Sequence, residues 1–182
     1  VVSRIGESAD GGARVRVDLD GWFWEAGDAE RGVKSLAVQG GAGSDRIDVA
    51  NAGVRATVDG GAGDDTVVGA TADSAWAITA QDAGRVGLVD FLGVENLLGA
   101  DGNRDTFTLF AGGGLSGVAD GGVGGFDSLV IDAGPISLAR FLADGPDAGT
   151  VILDGDRLRY AGLEPITLAD SVTDVVIEAT TG

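Results

Sequence analysis

The segments GGAGSD (residues 40–45) and GGAGDD (residues 60–65) lie 20 residues apart and differ at a single position. Glycine loses more conformational entropy on folding than any other residue, so a repeated glycine run marks points where the backbone must turn sharply or pass close to another segment. Each run ends in an aspartate and leads into an apolar, largely β-branched stretch, RIDV (46–49) or TVV (66–68). A self-similar step near 20 residues is the signature of a chain laid circuit upon circuit. In a right-handed parallel β-coil each circuit rises about 4.8 Å on the last, so residues one step apart stack.

The pattern extends beyond the first pair. Asp105 follows Asp65 by 40 residues and Asp127 follows Asp105 by 22, about two steps and one step. Two residues after each aspartate stands an apolar side chain: Ile47, Val67, Phe107 and Leu129. These are expected to form one inward-facing column, with the aspartates at the corners of the coil, stacked on one edge.

Between the glycine-rich points sit short alternating or β-branched runs such as ARVRVDL (13–19), SLAVQ (35–39), VRATV (54–58), WAIT (76–79), RVGLV (85–89), TFTLF (106–110), SLVI (128–131), TVILD (150–154), DRLRY (156–160) and DVVIEA (174–179). Runs of four to seven residues bounded by Gly, Asp and Asn are strand signals. PISLARFLADG (135–145), opened by Pro and closed by Gly, is the best candidate for a short helix. The expected fold is all-β: a single right-handed parallel β-solenoid over residues 1–182, with an N-terminal coil or cap (1–34), a glycine-Asp repeat region (35–134) and C-terminal strands (135–182).

Composition narrows the function. The formal net charge of −17, from 29 acids and 12 bases, argues against nucleic acid or an anionic membrane as partner and makes cations the natural ones. Self-repulsion on that scale weakens a compact state unless bound ions neutralise part of it. Cysteine and histidine are both absent. Disulfides, thiolate chemistry, His-containing triads and the commonest zinc ligand are therefore excluded. No apolar run approaches the length of a membrane span, and the chain, without a starting Met or signal peptide, is expected to be a piece of a longer polypeptide or a processed product. With one Lys, one Tyr and no informative carboxylate pair, an enzyme is not expected.

The pattern G-G-x-G-x-D-x-U-x, with U a large apolar residue, is matched by Gly40, Gly41, Gly43, Asp45 and Ile47, and again by Gly60, Gly61, Gly63, Asp65 and Val67. Calcium takes six to eight hard oxygens in irregular geometry, and two stacked corners rich in carbonyls and carboxylates supply such a shell. Here the chain resembles the repeats-in-toxin, or haemolysin-type calcium-binding, repeats of secreted bacterial proteins. GADGNRDTF (99–107) and GGVGGFDSL (121–129) resemble the same repeat with one extra residue before the aspartate. The rest looks like spacer modules of large bacterial surface proteins and adhesins. The resemblance implies a calcium-binding structural or adhesive module, secreted or at the cell surface, folded by external Ca²⁺. It implies side-chain oxygens from Asp45 and Asp65, carbonyls from Gly40, Ala42, Gly60 and Gly63, and further carboxylates from Asp105 and Asp127. Asp105 and Asp127 rank behind Asp45 and Asp65, as do Asp59, Asp64 and Asp120.

Other features are absorbed more simply. Asp101, Asn103 and Asp105 open like an EF-hand loop, but Thr106 and Gly112 occupy its required Gly and Glu positions, so an EF-hand is rejected. Trp22 and Trp24, on one face of a strand, are expected to plug the end of the coil, with a sugar platform as the alternative. Trp76 is expected in the core and Asn51 at a corner. Two rival functions stay open: a self-assembling surface-layer or filament subunit, and a polysaccharide-binding or modifying module. Partners besides calcium would be neighbouring modules of the same chain or further copies.

Overall fold

The computed structural model describes residues 32–49 and 54–179 in full, and within residues 2–26 the backbone of three strands. Among the described residues the chain is all strand and loop, with no helix. Strands β1 (Val2–Glu7), β2 (Ala13–Leu19) and β3 (Trp22–Ala26) form an antiparallel sheet of their own. The side chains of Trp22 and Trp24, and all of Asn51, lie outside the described residues.

From residue 35 onward the chain shuttles between two eight-stranded mixed sheets. It enters the first sheet as β4 (Ser35–Ala42), crosses to the second as β5 (Arg46–Asp48), returns as β6 (Arg55–Ala62) and crosses again as β7 (Thr66–Val68). The first sheet then takes β8 (Ala75–Ala80), β9 (Ala83–Val86) and β10 (Val89–Leu92), the second β11 (Asn96–Leu98). After these, β12 (Thr106–Phe110), β13 (Val118–Asp120) and β14 (Ser128–Asp132) alternate between the sheets. The second sheet receives β15 (Ile136–Ala143), β16 (Gly149–Leu153) and β17 (Asp156–Ala161), the first β18 (Ile166–Leu168), and β19 (Val172–Ala179) closes on the second.

Strands from successive circuits pair in parallel. Ser35 aligns with Arg55 in the first sheet, and Arg46 with Thr66 in the second, so both sheets obey the 20-residue step. Further on the step changes, because two antiparallel meanders are spliced in. The β8–β9–β10 meander turns back at Asp82 and Gly87, both with positive φ. The β15–β16–β17 meander has a two-residue turn at Asp154-Gly155, where both residues again have positive φ, as right-twisted hairpins demand. RVGLV is therefore not one strand but the turn between β9 and β10.

Nor is residues 135–145 a helix. Ile136–Ala143 is a strand, held in parallel register with β19 on one side and antiparallel register with β16 on the other. Backbone partners on both sides outweigh a local helical preference, which is small per residue.

One apolar core runs between the two sheets, from Ile47 to Leu163. Ile47, Val67, Phe107 and Leu129 are all buried in it, as their spacing indicates, but they form two columns. Ile47, Val67 and Leu97 align in the second sheet, whereas Trp76, Phe107 and Leu129 align in the first. Trp76 is buried and stacks on Phe107, with ring centroids 5.2 Å apart and planes within 5° of parallel. No helix of the described residues is long and apolar enough to cross a membrane.

Candidate functional site

The two crossings between the sheets make two edges, and the four aspartates divide between them. Asp45 and Asp65 lie where the chain passes from the first sheet to the second; Asp105 and Asp127 lie where it passes back. The expectation of a single edge fails because the 40-residue step from Asp65 to Asp105 is not two circuits. It is one full circuit to Glu95, 30 residues on, and half a circuit more.

Each edge carries the same clamp. The Asp45 N–H donates to Asp65 Oδ1 at 2.8 Å, while the Asp45 carbonyl accepts the N–H of Thr66, also at 2.8 Å. One circuit on, the Asp65 N–H donates to Glu95 Oε2 at 2.7 Å and the Asp65 carbonyl accepts from Asn96 N–H at 2.9 Å. On the opposite edge the Ser74 N–H donates to Asp105 Oδ1 and the Asp105 N–H to Asp127 Oδ1, at 2.8 and 2.7 Å. The returning bonds, Thr106 N–H to the Ser74 carbonyl and Ser128 N–H to the Asp105 carbonyl, are both 2.9 Å. A corner leaves the sheet ladder, so its N–H would be an orphan, and the carboxylate of the next circuit satisfies it.

The clamp explains the glycines. A Cβ on Gly40 would lie 2.3 Å from the Gly60 carbonyl oxygen and 2.8 Å from Asp45 Oδ2, and one on Gly60 would lie 2.0 Å from the Gly93 oxygen and 2.7 Å from Asp65 Oδ2. On the other edge, a Cβ on Gly99 would meet Asp105 Oδ2 and the Gly121 oxygen, both at 2.4 Å. Backbone passes so close to the stacked carboxylate that no side chain fits there.

The electrostatics of the two edges differ. Asp105 spends both oxygens on the protein: Oδ1 also accepts from Asn103 Nδ2, and Oδ2 accepts the Ala100 N–H. Burial nevertheless pushes the Asp105 carboxyl above the usual range against these bonds, and burial pushes Asp127 up likewise, aided by repulsion from Asp120 and Asp73. Asp45 and Asp65, by contrast, each keep a buried Oδ2 with no hydrogen-bond partner, and Asp65 is wholly enclosed. Buried carboxylate oxygens without partners are costly, and a cation is what they suit.

The residues therefore fit a cation at the first edge better than at the second. The Gly60 oxygen faces Gly40, Gly63 packs on the Gly43 oxygen, and the Ala62 oxygen accepts the Gly43 N–H. Ala42 lies in register with Ala62. Among the described residues no three acidic side chains converge on one point, so carbonyls would have to complete any shell. Of the second-rank acids, Asp64 Oδ1 accepts from Asn96 Nδ2 and Asp120 Oδ1 from the Gly122 N–H. Asp101, in the rejected EF-hand run, accepts the Val123 N–H.

Sequence reading missed Glu95 and Ser74. Both are rungs of the ladders, yet neither ends a G-G-x-G-x-D motif; only the glycine at 93, whose carbonyl packs on Gly60, hints at the third corner. Comparison of the chain with family models, curated proteins and solved structures finds no match.

Proposed function

We propose that this chain is a calcium-stabilised structural or adhesive module, a β-solenoid segment of a larger secreted or surface-attached protein. The observation that carries the reading is the pair of buried, unpartnered Oδ2 atoms of Asp45 and Asp65, one circuit apart on one edge. Asp45 and Asp65 would hold the ion with carbonyl oxygens of the glycine loops. Its contribution is electrostatic: it neutralises part of a −17 chain and gives two enclosed oxygens a partner. Because such a site exists only when the two circuits are stacked, binding free energy becomes folding free energy. Low calcium would then leave the chain loose and millimolar calcium would fold it, which suits an extracellular setting. The parallel pairing of successive circuits supports a solenoid, and the resemblance to the secreted repeats supports its right hand.

The test is calorimetric titration of the metal-stripped protein with CaCl₂ and MgCl₂. Binding heat with Ca²⁺, absent in Asp65→Asn and weak with Mg²⁺, which demands smaller octahedral sites, is the expected result. No heat and no shift in melting temperature would remove calcium and leave a metal-free scaffold.

A second reading, self-assembly, is favoured by β19. It is the outermost strand of its sheet, and Val175, Val176 and Ile177 are exposed, Ile177 by 75%. An open apolar edge is a template for a further strand. Light scattering of wild type against Ile177→Lys measures this directly: a wild-type oligomer lost in the variant supports assembly, and a monomer in both removes it.

A further inference from the structure

The loop 121–127 carries two apolar side chains that the core does not use. Val123 is 77% exposed and Phe126 is 70% exposed. Burying a side chain of this size is worth about 1.5–3 kcal/mol, so the fold forgoes a considerable gain by leaving the ring outside. The backbone around it is committed to this display: Gly122, Gly124 and Gly125 all have positive φ, and the Phe126 N–H is tied to the Asn103 carbonyl at 3.0 Å. On the preceding circuits the matching positions are the charged Arg104 and Asp73, so the ring breaks an otherwise polar column.

Beside Phe126 opens a concavity of about 450 Å³, walled by the ring, Pro165, Asp147 and Glu164, with Asp127 among its lining residues. The carboxylates of Asp147 and Glu164 make no ion pair among the described residues. No basic residue lines it; Arg104, one circuit back, lines a separate hollow that shares Phe126 and Pro165. An aromatic face flanked by unneutralised carboxylates suits a cation, which gains from the ring quadrupole and from the acids together. A neutral sugar could donate its hydroxyls to these acids but would meet no donor side chain, whereas a cation is matched by every charged group in the lining.

We propose that this concavity docks a basic peptide segment, with an Arg or Lys side chain laid on Phe126 and its charge between Asp147 and Glu164. The charge complementarity is local as well as global, in a chain of −17.

The probe is a fluorescein-labelled peptide of sequence Gly-Arg-Gly-Arg-Gly, with Gln replacing both Arg as control, titrated by anisotropy at 0.15 M salt with millimolar calcium present. Phe126→Ser should weaken arginine-peptide binding about tenfold without lowering the melting temperature, and Glu164→Gln should weaken it several-fold. Asp132→Asn, an exposed acid elsewhere on the same sheet, should change it less than twofold. Equal binding by wild type and Phe126→Ser overturns the proposal. So does equal loss in Glu164→Gln and Asp132→Asn, which would mean diffuse charge attraction. Amide shifts at residues 122–126 caused by cellohexaose and not by the peptide would replace it with a glycan site.

Discussion

The backbone N–H of Asp45 donates to the carboxylate of Asp65 at 2.8 Å, and that of Asp105 to the carboxylate of Asp127 at 2.7 Å, on opposite edges of the molecule. Each carboxylate thus fastens its own circuit to the one before it. The difference between the edges lies in what the second oxygen does. At Asp105 it accepts the Ala100 N–H, and at Asp45 and Asp65 it is buried alone.

Replacing Asp65 separates the two roles. Asp65→Ala leaves the Asp45 N–H without its acceptor and should cost about 1–3 kcal/mol without calcium, and more with calcium, because the ion's stabilisation is lost as well. Asp65→Asn retains an oxygen for that N–H and loses only the charge, so its metal-free stability should stay near wild type while the calcium-dependent gain vanishes. Chemical denaturation of both variants in EGTA and in CaCl₂ checks the pair.

Glycine at position 60 is a matter of contact, not of conformation. A Cβ there meets the Gly93 carbonyl oxygen at 2.0 Å, so Gly60→Ala should cost about 1–3 kcal/mol through forced displacement of backbone. Gly145 has only Asp147 Oδ1 within 4 Å, at 3.9 Å, and Gly145→Ala should be neutral or slightly stabilising. Urea midpoints of the two variants give the comparison.

Stability should rise on mild acidification of the metal-stripped protein. Asp105 and Asp127 have native carboxyls raised by burial, so the native state holds their protons more tightly than the unfolded chain, whose Asp value is about 3.9. Their contribution is greatest below that value and is lost as pH rises through the raised native values. Asp90, lowered chiefly by its hydrogen bond to Arg85, works in the opposite sense, but its effect falls below about pH 4, at the unfolded value, and outside the window. Thermal melts at pH 5 and pH 7.5 should show the higher melting temperature at pH 5, and Asp127→Asn should flatten the trend.

The all-β class and the first register were legible because period-2 alternation and the glycine-Asp step are local and repeat unchanged from 35–48 to 55–68. The burial of Ile47, Val67, Phe107 and Leu129 was legible for the same reason. Their division into two columns was not, since the half-circuit between Glu95 and Asp105 depends on the β8–β9–β10 meander, whose Gln81-Asp82 and Gly87-Leu88 turns break the step without breaking the strand signal. Residues 135–145 misled because Ser137-Leu-Ala-Arg-Phe-Leu142 has helix-forming composition, and of its two β partners the parallel one, β19, begins at Val172, 36 residues beyond Ile136. Glu95 was invisible because a longer acid replaces the motif's aspartate at the third rung.

Anomalous scattering from crystals grown in calcium tests the shared cation most directly. A single peak about 2.3–2.6 Å from both Asp45 Oδ2 and Asp65 Oδ2, with none at Asp105, is the expected result. Density showing those two oxygens bonded only to water or to protein donors, with no ion between the circuits, would contradict it.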